Sequence, residues 1–372
     1  MNTNKNNWYI IENINSIDSP ALVIYKKRMI ENINLLKSMV KNVDALRPHV
    51  KTNKISEVCK IILDEGIKKF KCATIAEAEM LAQIEAPDVL FAYQPVGPKV
   101  LRLLALTQEY TSTNFSCLID NIEAAKNISK VFSEKNTLIN VFIDLNVGQN
   151  RTGIKPENAL ELFNAVQSIK NIKIIGLHVY DGHIRDSKLE ERKLSADKAF
   201  GRVAELLQHI YSIENKQLKI VIGGSPTFPT HATRENVECS PGTFVFWDWN
   251  YKTNLPDEPF EFAALIIARI ISIVDETTIC LDLGHKSIAA ENALPNRVHF
   301  LNAPNAKVIS QSEEHLVVQV SDSSVYKIGD VFYGVPFHIC PTVALYEKAF
   351  VIENSKVIDE WKVIARNRKI NV

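Results

Sequence analysis

The 372-residue sequence predicts an α/β protein: a (β/α)8 (TIM) barrel followed by a C-terminal, mostly antiparallel β domain. Strand-like runs of apolar, β-branched residues alternate with helix-like stretches over about 230 residues, the usual span of such a barrel. The first six strands begin roughly 20–30 residues apart, which is the size of one βα unit. Beyond about residue 260, few helical patterns remain and strand-like runs follow one another.

Eight strand-like runs are expected to form the barrel. They are Ala21–Tyr25, Ala45–Val50, Lys69–Thr74, Val89–Tyr93, Phe115–Asp120, Ile139–Leu145, Ile174–Tyr180 and Lys219–Gly223. Helical spacing lies between most of them, and Pro156 followed by Glu157 is typical of a helix start. An open doubly wound sheet is the alternative, and a helix-rich insert at Ser187–Ile213 departs from strict alternation.

Strand-like runs in the last third of the chain predict the β domain. Its strand-like runs are Phe262–Val274, Thr278–Leu283, Leu316–Val320, Asp330–Val335, Ala349–Ile352 and Val357–Val363. The four residues 353–356 are expected to form a hairpin turn, and Trp8–Ile11 is a further candidate for pairing with this domain. The predicted boundaries are therefore 18–255 for the barrel and 256–372 for the β domain, with 1–17 joining the latter.

The charge and cysteine content limit the function classes. Lys+Arg and Asp+Glu both total 43, so a nucleic-acid-binding protein, which normally carries a basic excess, is not indicated. No apolar run reaches the length that spans a bilayer, and the first eight residues are polar rather than signal-like. Six cysteines without a C-x-x-C pair suggest free thiols in a reducing cytoplasm. We expect a soluble, cytoplasmic enzyme that does not bind membranes.

Lys51 is the first candidate for catalysis. It follows the second predicted strand, and catalytic groups of such barrels project from the carboxyl ends of the strands. A lysine there can point into the barrel mouth, where partial burial would lower its pKa as a Schiff-base amine requires. Arg47 and His49 stand beside it. A solvated loop lysine is the equally weighted alternative.

The eighth predicted strand runs into Gly223, Gly224 and Ser225, with Thr227 close behind. Two glycines let backbone N–H groups approach an anion, and the hydroxyl groups add donors, so a phosphate-binding loop is plausible. An ordinary turn is the alternative. Arg151, between two glycines after the sixth strand, is a candidate for holding an anionic oxygen, with a surface ion pair as its alternative.

Two further groups carry side chains suited to chemistry. His178, Tyr180 and His183 lie at the end of the seventh predicted strand, and a core tyrosine with a satisfied hydroxyl is the alternative for Tyr180. His338 and Cys340 are two residues apart, and in extended backbone such residues face the same side, so they could share one cation, most naturally zinc. The pair needs a third partner, or water and substrate, to complete a site.

Taken together, these segments resemble the fold-type III, alanine-racemase-like pyridoxal-phosphate enzymes, in the branch of D-threonine aldolase and D-serine dehydratase. The resemblance extends from Ser19 to Val363. The strings that carry it are Arg47-Pro48-His49-Val50-Lys51-Thr52, Cys72-Ala73-Thr74 with Glu77-Ala78-Glu79, Ala92-Tyr93-Gln94-Pro95-Val96-Gly97-Pro98, the run 176–183, Gly223-Gly224-Ser225-Pro226-Thr227, Pro241-Gly242-Thr243 and His338-Ile339-Cys340-Pro341-Thr342.

The resemblance implies roles for several of these residues. Lys51 would form the Schiff base with the cofactor, Arg151 would contact its phenolic oxygen, and Tyr180 would lie near its pyridine nitrogen. Its phosphate would be held by Gly223, Gly224, Ser225, Gly242 and Thr243. His338 and Cys340 would bind a divalent metal beside the substrate. A homodimer is implied as well.

Two departures from the family pattern stand out. Asn53 occupies the position two residues after the lysine where the family usually has a histidine. The aldolases tend to show His-x-Asp, whereas the His338-x-Cys340 spacing resembles the zinc-dependent D-serine dehydratases. The roles of His178, His183 and His315 stay open.

These features predict a lyase that acts on D-3-hydroxy amino acids, of D-threonine aldolase type. The alternative is a D-serine or D-3-hydroxyaspartate dehydratase, which Cys340 favours, and an amino-acid racemase is third because it would need a second base. A cofactor-binding protein without catalysis is a different class, against which the C-terminal domain with its His-x-Cys pair argues.

Overall fold

The structure is a computed structural model that describes residues 7–215 and 217–372. The chain forms two compact units. The barrel unit comprises Leu36–Lys51, Val58–Gly242 and Asn367–Val372, and the β unit comprises the described residues up to Leu35, with Thr52–Glu57 and Thr243–Arg366. The boundaries at 18–255 and 256–372 stay predictions, and part of the predicted 1–17 segment lies outside the described residues.

Seven parallel strands, paired in chain order, build the wall of the barrel unit. After β1 (Ala21–Tyr25) they are β2 (Lys69–Cys72), β3 (Asp88–Phe91), β4 (Asn114–Ile119), β5 (Ile139–Leu145), β6 (Ile172–Val179), β7 (Lys219–Ile222) and β8 (Val237–Cys239). The extended segment 46–50 lies between β8 and β2, because Leu46 pairs with Cys239 and His49 pairs with Lys71. The segment closes the ring, and the predicted (β/α)8 barrel is confirmed.

The assignment of two strands was wrong. Ala21–Tyr25, predicted as the first barrel strand, is buried along its whole length and pairs with strands of the β unit instead. The missing member of the ring is Val237–Cys239, whose three residues are too few to show a pattern in the sequence. The glycines at 223 and 224 therefore follow the seventh member of the ring, counted from segment 46–50, and not the eighth.

Helices occur in both units of the described chain. They are α1 (Lys26–Ser38), α2 (Ser56–Asp64), α3 (Ile75–Gln83), α4 (Pro98–Glu109), α5 (Ile122–Ser133), α6 (Pro156–Gln167), α7 (Leu189–Glu214), α8 (Phe228–His231), α9 (Trp249–Asn254) and α10 (Ile339–Val343). Pro156 begins α6 as predicted, and the helix-rich insert is the single helix α7. Side-chain caps fix other starts, as where Thr74 accepts the backbone N–H of Glu77.

A nine-stranded sheet, antiparallel in all but one pair, is the core of the β unit. With β1 it contains β9 (Ala264–Asp275), β10 (Thr278–Leu281), β11 (Val298–Phe300), β12 (Lys307–Gln311), β13 (Leu316–Gln319), β14 (Val331–Pro336), β15 (Lys348–Glu353) and β16 (Lys356–Lys362). The parallel pair is β1 with β15. The mostly antiparallel character predicted for this region is confirmed.

Two local predictions in the β unit have different outcomes. The hairpin forms as expected: Asn354 and Ser355 both take positive φ between β15 and β16, as a tight two-residue turn requires. Trp8–Ile11 forms turns rather than a strand, and Trp8 packs its ring against Tyr25 and Arg28. Among the described residues, no helix is long and apolar enough to cross a membrane.

Candidate active site

Lys51 lies at the carboxyl end of the segment that closes the barrel. Backbone hydrogen bonds from Val50 N to Lys71 O and from Lys71 N to Pro48 O, both 2.9 Å, align this segment with β2. The Lys51 backbone N–H points to His49 Nδ1 at 3.2 Å. The sequence predicted partial burial of the Lys51 side chain, but the side chain is exposed. A lysine at the mouth therefore stays accessible to a cofactor.

Three cationic side chains surround the ring of Tyr180. Their distances to the ring centroid are 5.1 Å for Arg151 Cζ, 5.4 Å for Lys71 Nζ and 5.9 Å for Lys51 Nζ, all within the range of cation–π attraction. The structure thus brings together three of the predicted site residues and adds Lys71. The sequence analysis missed Lys71, although a lysine between Phe70 and Cys72 inside a buried strand was a visible signal.

Glycines on both sides make room for the Tyr180 ring. A Cβ atom at Gly182 would lie 2.2 Å from the Tyr180 hydroxyl oxygen, and one at Gly224 would lie 3.2 Å from ring carbon Cε2. A contact of 2.2 Å is far below van der Waals distance, so a side chain at position 182 would displace the ring. The glycine in the Tyr-Asp-Gly-His string therefore serves to place Tyr180.

His178 and Asp144 form a buried pair on neighbouring strands. His178 Nδ1 donates to Asp144 Oδ1 at 2.6 Å. Burial alone would raise the pKa of Asp144, but the hydrogen bonds from His178 and Thr152 and the charge of Lys71 outweigh burial and lower it. Burial and the Lys71 charge lower the pKa of His178, so the imidazole is neutral. Its Nε2 atom is buried and has no hydrogen-bond partner within the described part of the chain.

Lys71 is 3% exposed and belongs to the same group. Burial lowers its pKa to about 7, and the positive charge of Lys51 acts in the same direction, while the carboxylates of Asp144 and Asp181 oppose them. At neutral pH the Lys71 amine is therefore divided between its charged and neutral forms. Such titration near the working pH is typical of groups that exchange protons.

The loop after β7 is tied down by buried side chains. Asp181 accepts hydrogen bonds from Thr227 Oγ1 at 2.8 Å and from His231 Nε2 at 2.7 Å. Arg234 Nε donates to His231 Nδ1 at 3.1 Å, which leaves the ring hydrogen on Nε2. Arg192, itself fully buried, donates from Nε to the carbonyl of Pro226 at 2.6 Å. The glycines take part as well, since Gly223 N–H donates to Val179 O at 3.1 Å and Gly224 N–H lies 3.4 Å from Thr227 Oγ1. Together these contacts hold the loop in place.

The loop leaves a small cradle at the strand ends. Gly223 has φ +74°, and a Cβ there would lie 3.0 Å from His231 and 3.1 Å from Thr227. The Gly242 N–H reaches Ser225 Oγ at 3.4 Å, so two of the predicted phosphate segments meet. Ser240 Oγ nearby in the chain is buried without a partner in the described residues. Thr243, predicted to join them, belongs to the β unit, where its hydroxyl lies 3.7 Å from Cys340 Sγ.

These residues fit pyridoxal phosphate. Gly223 and Gly224 leave little room for a side chain at the loop, Lys51 and Arg151 suit an anionic cofactor, and His178 Nε2 is a buried acceptor without a partner in the described residues. A cavity of about 570 Å³ opens at the other end of the barrel beside Lys69 and Lys219. That end carries the amino ends of the strands, where barrels of this kind do not place their chemistry.

His338 and Cys340 meet in the β unit, but not in extended backbone as expected. His338 precedes α10, and Cys340 lies in its first turn. The two side chains are nevertheless in hydrogen-bond contact, and His338 Nδ1 lies 2.5 Å from Glu291 Oε1. Burial would lower the pKa of His338, but Cys340, Glu291 and Asp248 together raise it to about 9. Thr52 Oγ1 lies 3.1 Å from Cys340 Sγ.

The donors present suit a metal only in part. The sequence analysis missed Glu291, which lies 47 residues from His338 in the chain. A carboxylate on Nδ1 leaves Nε2 to face a metal, the arrangement that orients metal-binding histidines. No group of three or more His, Cys, Asp or Glu side chains placed to hold a metal ion occurs in residues 7–215 and 217–372. At this place, the described part of the chain therefore provides one nitrogen donor, from His338, and one sulfur donor, from Cys340.

Asn53, His183 and His315 have other surroundings. Asn53 is buried, and its Oδ1 accepts the backbone N–H of Ile55 at 3.0 Å. The side chain at this position therefore caps a turn. His183 packs its ring against Gly148, and His315 is exposed in the β unit.

A barrel with a lysine at its mouth, a glycine phosphate cradle and a separate antiparallel sheet defines the alanine-racemase-like class of pyridoxal-phosphate proteins. Residues 24–248 match the family described as alanine racemase, N-terminal domain, and residues 263–352 match the serine dehydratase domain family. The chain belongs to the alanine racemase N-terminal domain family.

Curated relatives and solved structures agree with this family. A D-threonine aldolase of Arthrobacter sp is 25% identical over 94% of this chain and 93% of its own. A D-serine dehydratase of Dictyostelium discoideum is 23% identical over 96% and 98%. The crystal structure of D-threonine aldolase from Filomicrobium marinum has a TM-score of 0.84 at 24% identity, covering 94% and 95%. A cysteine-to-alanine mutant of D-threo-3-hydroxyaspartate dehydratase, in its metal-free form, has a TM-score of 0.81 at 19% identity, covering 93% and 97%. The two structural likenesses concern the fold.

Proposed function

We propose that this protein is a pyridoxal-phosphate- and metal-dependent lyase for D-3-hydroxy amino acids, of D-threonine aldolase type, which converts D-threonine to glycine and acetaldehyde. The observation that carries the proposal is the gathering of Lys51, Lys71 and Arg151 around Tyr180 in a barrel that also holds the glycine cradle. The aldolase relative, aligned over nearly the whole of both chains, supports the choice of reaction.

In this proposal different residues contact different parts of the cofactor. Lys51 would supply the amine for the aldehyde carbon, Arg151 would contact the phenolic oxygen, and Tyr180 would lie near the pyridine nitrogen. Gly223, Gly224, Ser225, Gly242 and Thr243 would hold the phosphate. When bound, pyridoxal phosphate supplies an electron sink for the bonds at the substrate Cα. A phenol at the ring nitrogen, in place of a carboxylate, would make that sink a mild one.

Buried pairs keep these side chains in position. Asp144 fixes the hydrogen of His178 on Nδ1, so His178 Nε2 can only accept a hydrogen bond. Asp181 positions the glycine loop in the same way, because it accepts hydrogen bonds from both Thr227 and His231. Preorganised partners of this kind avoid reorganisation during the reaction.

We propose zinc as the divalent metal and a homodimer as the assembled form. One imidazole nitrogen and one thiolate suit zinc better than manganese or magnesium, and two protein ligands leave positions for water and a substrate hydroxyl. Glu291 would orient His338 for this purpose. The metal would supply Lewis acidity at the hydroxyl.

The second candidate is a D-serine or D-3-hydroxyaspartate dehydratase, which the His338-x-Cys340 donor pair favours. Here the hydroxyl leaves as water after loss of the α-proton, and a keto acid and ammonia result. The dehydratase relative, which aligns over most of both chains, supports it.

Product analysis decides between the two. Purified protein loaded with pyridoxal phosphate and Zn²⁺ is incubated with D-threonine and with D-serine, using the L-isomers as controls. Glycine with acetaldehyde from D-threonine is the expected result. Pyruvate with ammonia from D-serine, without glycine, would replace the proposal by the dehydratase, and turnover of no D-amino acid by protein that holds the cofactor would indicate a binding protein. Light scattering measures the oligomeric state.

A further inference from the structure

The mouth of the barrel contains a second amine that no predicted role uses. Lys71 is the third residue of β2, and its backbone forms both hydrogen bonds with the segment that ends at Lys51. Its ε-amine and that of Lys51 approach the same Tyr180 ring, at 5.4 and 5.9 Å from the centroid. Lys71 is buried, whereas Lys51 is exposed. One lysine is therefore accessible to a cofactor, and the other is buried beside the same ring.

The surroundings of Lys71 combine both signs of charge. Charged or titratable groups face it from segment 46–51, from β5 and the loop after it, and from β6 and the turn after it; they are Lys51, Asp144, Arg151, His178, Tyr180 and Asp181. The two carboxylates already bind other side chains, Asp144 to His178 and Asp181 to Thr227 and His231. Neither is tied to Lys71 as a simple ion pair, so its amine can lose and regain a proton.

Among the described residues, the other groups around Lys71 are less suited to take a proton from a substrate hydroxyl. Asn53 caps a turn and cannot take a proton, His178 is bound to Asp144, and Tyr180 is enclosed by glycines and cations. Cleavage of a D-3-hydroxy amino acid between Cα and Cβ requires that the hydroxyl lose its proton. An amine that is partly neutral at working pH is the group suited to that transfer.

We propose that Lys71 is the acid–base residue of this site, taking and returning the substrate proton while Lys51 holds the cofactor. The neutral Lys71 amine takes the hydroxyl proton, the Cα–Cβ bond breaks, and the oxygen lone pair becomes the C=O bond of the aldehyde. The electron pair of the broken bond would remain at Cα, where bound pyridoxal phosphate would supply an electron sink. Lys71 then returns its proton to Cα, which yields glycine and restores the neutral amine. The inference rests on the proposed lyase function.

The test compares wild type with Lys71→Met and with a matched control, Lys69→Met. Lys69 lies on the same face of β2 two residues earlier, where it pairs with Glu238 away from Lys51. We expect Lys71→Met to keep the visible absorption band of the bound cofactor but to lose about 100-fold or more in kcat, the usual contribution of general acid–base catalysis. The fall of kcat/KM below about pH 7 should disappear from its residual activity. Lys69→Met should retain both.

A direct titration gives a readout without turnover. In wild type labelled with ¹³C at lysine Cε, one resonance should titrate near pH 7; it should be absent from Lys71→Met and present in Lys69→Met. Wild-type protein suffices for this measurement if Lys71→Met does not fold. No lysine titrating below pH 9, or a Lys71→Met enzyme with wild-type kcat and pH profile, would overturn the inference. Wild type that cleaves neither D-threonine nor D-serine would instead refute the proposed function.

Discussion

His178 donates from Nδ1 to Asp144 Oδ1 across 2.6 Å, and this bond joins two neighbouring parallel strands inside the barrel. The strands bring the residues together, since Asp144 and His178 are partners in the register of β5 and β6. The bond determines which ring nitrogen carries the hydrogen and leaves Nε2 as an acceptor. A conservative substitution of Asp144 should therefore lower both the stability and the activity of the protein.

Asp144→Asn keeps the size of the side chain but removes its charge. We expect the free energy of unfolding to fall by about 1–3 kcal/mol, the cost of weakening a buried hydrogen bond to a charged group. Urea unfolding measures it. Asp64→Asn is the control, because Asp64 pairs with Lys60 on the exposed surface of α2 and should change stability by about 0.5 kcal/mol or less. Equal losses in the two variants would contradict the special role of the buried pair.

The depressed pKa of Lys71 predicts a pH-dependent difference in stability between wild type and Lys71→Met. Above pH 7 the folded protein has released the Lys71 proton, whereas the unfolded chain keeps it up to its ordinary value of 10.5. Stability of wild type therefore rises with pH in this window, by about 1.4 kcal/mol per pH unit from this group. Below pH 7 both states hold the proton and this contribution is constant.

Lys71→Met has no such group, so any advantage it gains by removing the buried charge should be largest below pH 7. The advantage should shrink by about 2–3 kcal/mol between pH 7 and pH 9. Urea unfolding of the cofactor-free proteins across this range measures it, since a bound cofactor would add its own stabilisation. Stability curves that stay parallel throughout would show that Lys71 keeps its proton.

Gly223→Ala tests the cradle. Its φ of +74° is costly for alanine, and the new Cβ would press on His231 and Thr227 at about 3 Å. We expect a loss of about 1–3 kcal/mol in stability and at least a tenfold weaker affinity for pyridoxal phosphate, measured by absorption titration. The control is Gly201→Ala in α7, where a Cβ meets nothing within 4 Å and should slightly stabilise the helix. Unchanged cofactor affinity in Gly223→Ala would show that Gly223 is not needed for binding the phosphate.

Glu291→Gln tests the orientation of His338. A carboxylate behind a metal-binding histidine usually contributes 10–100-fold to metal affinity, so about that loss in Zn²⁺ affinity is expected. Competition with a chromophoric chelator gives the affinity. Glu313→Gln, which removes an exposed partner of Lys286 in the same unit, should leave it unchanged. Wild-type Zn²⁺ affinity in Glu291→Gln would mean that Glu291 does not position His338.

The sequence predicted the architecture because barrel and antiparallel regions differ in the period of their apolar residues. It failed where an element is too short to show a period, as at Val237–Cys239. It also misplaced Ala21–Tyr25, since an apolar run does not reveal which sheet it joins. Pairing is decided by contacts between strands that lie far apart in the chain.

Only part of the candidate site could be predicted from the sequence. Lys51, Arg151 and Tyr180 were found because each follows a strand, and the barrel gathers strand ends at one face. Lys71 was missed because a lysine inside a strand is usually read as facing solvent. The partners of His178 and His338 were missed too, since they lie 34 and 47 residues away in the sequence. Spacing identifies candidate residues, whereas burial and partners appear only in the fold.

The covalent attachment of the cofactor at Lys51 is tested by borohydride reduction of the purified, pyridoxal-phosphate-loaded protein, followed by digestion and mass spectrometry. The account predicts a phosphopyridoxyl group on the peptide that contains Lys51, and loss of the visible absorption band in Lys51→Ala. A reduced adduct of the wild-type protein on any other lysine, Lys71 included, or a band of unchanged intensity in Lys51→Ala, would contradict it.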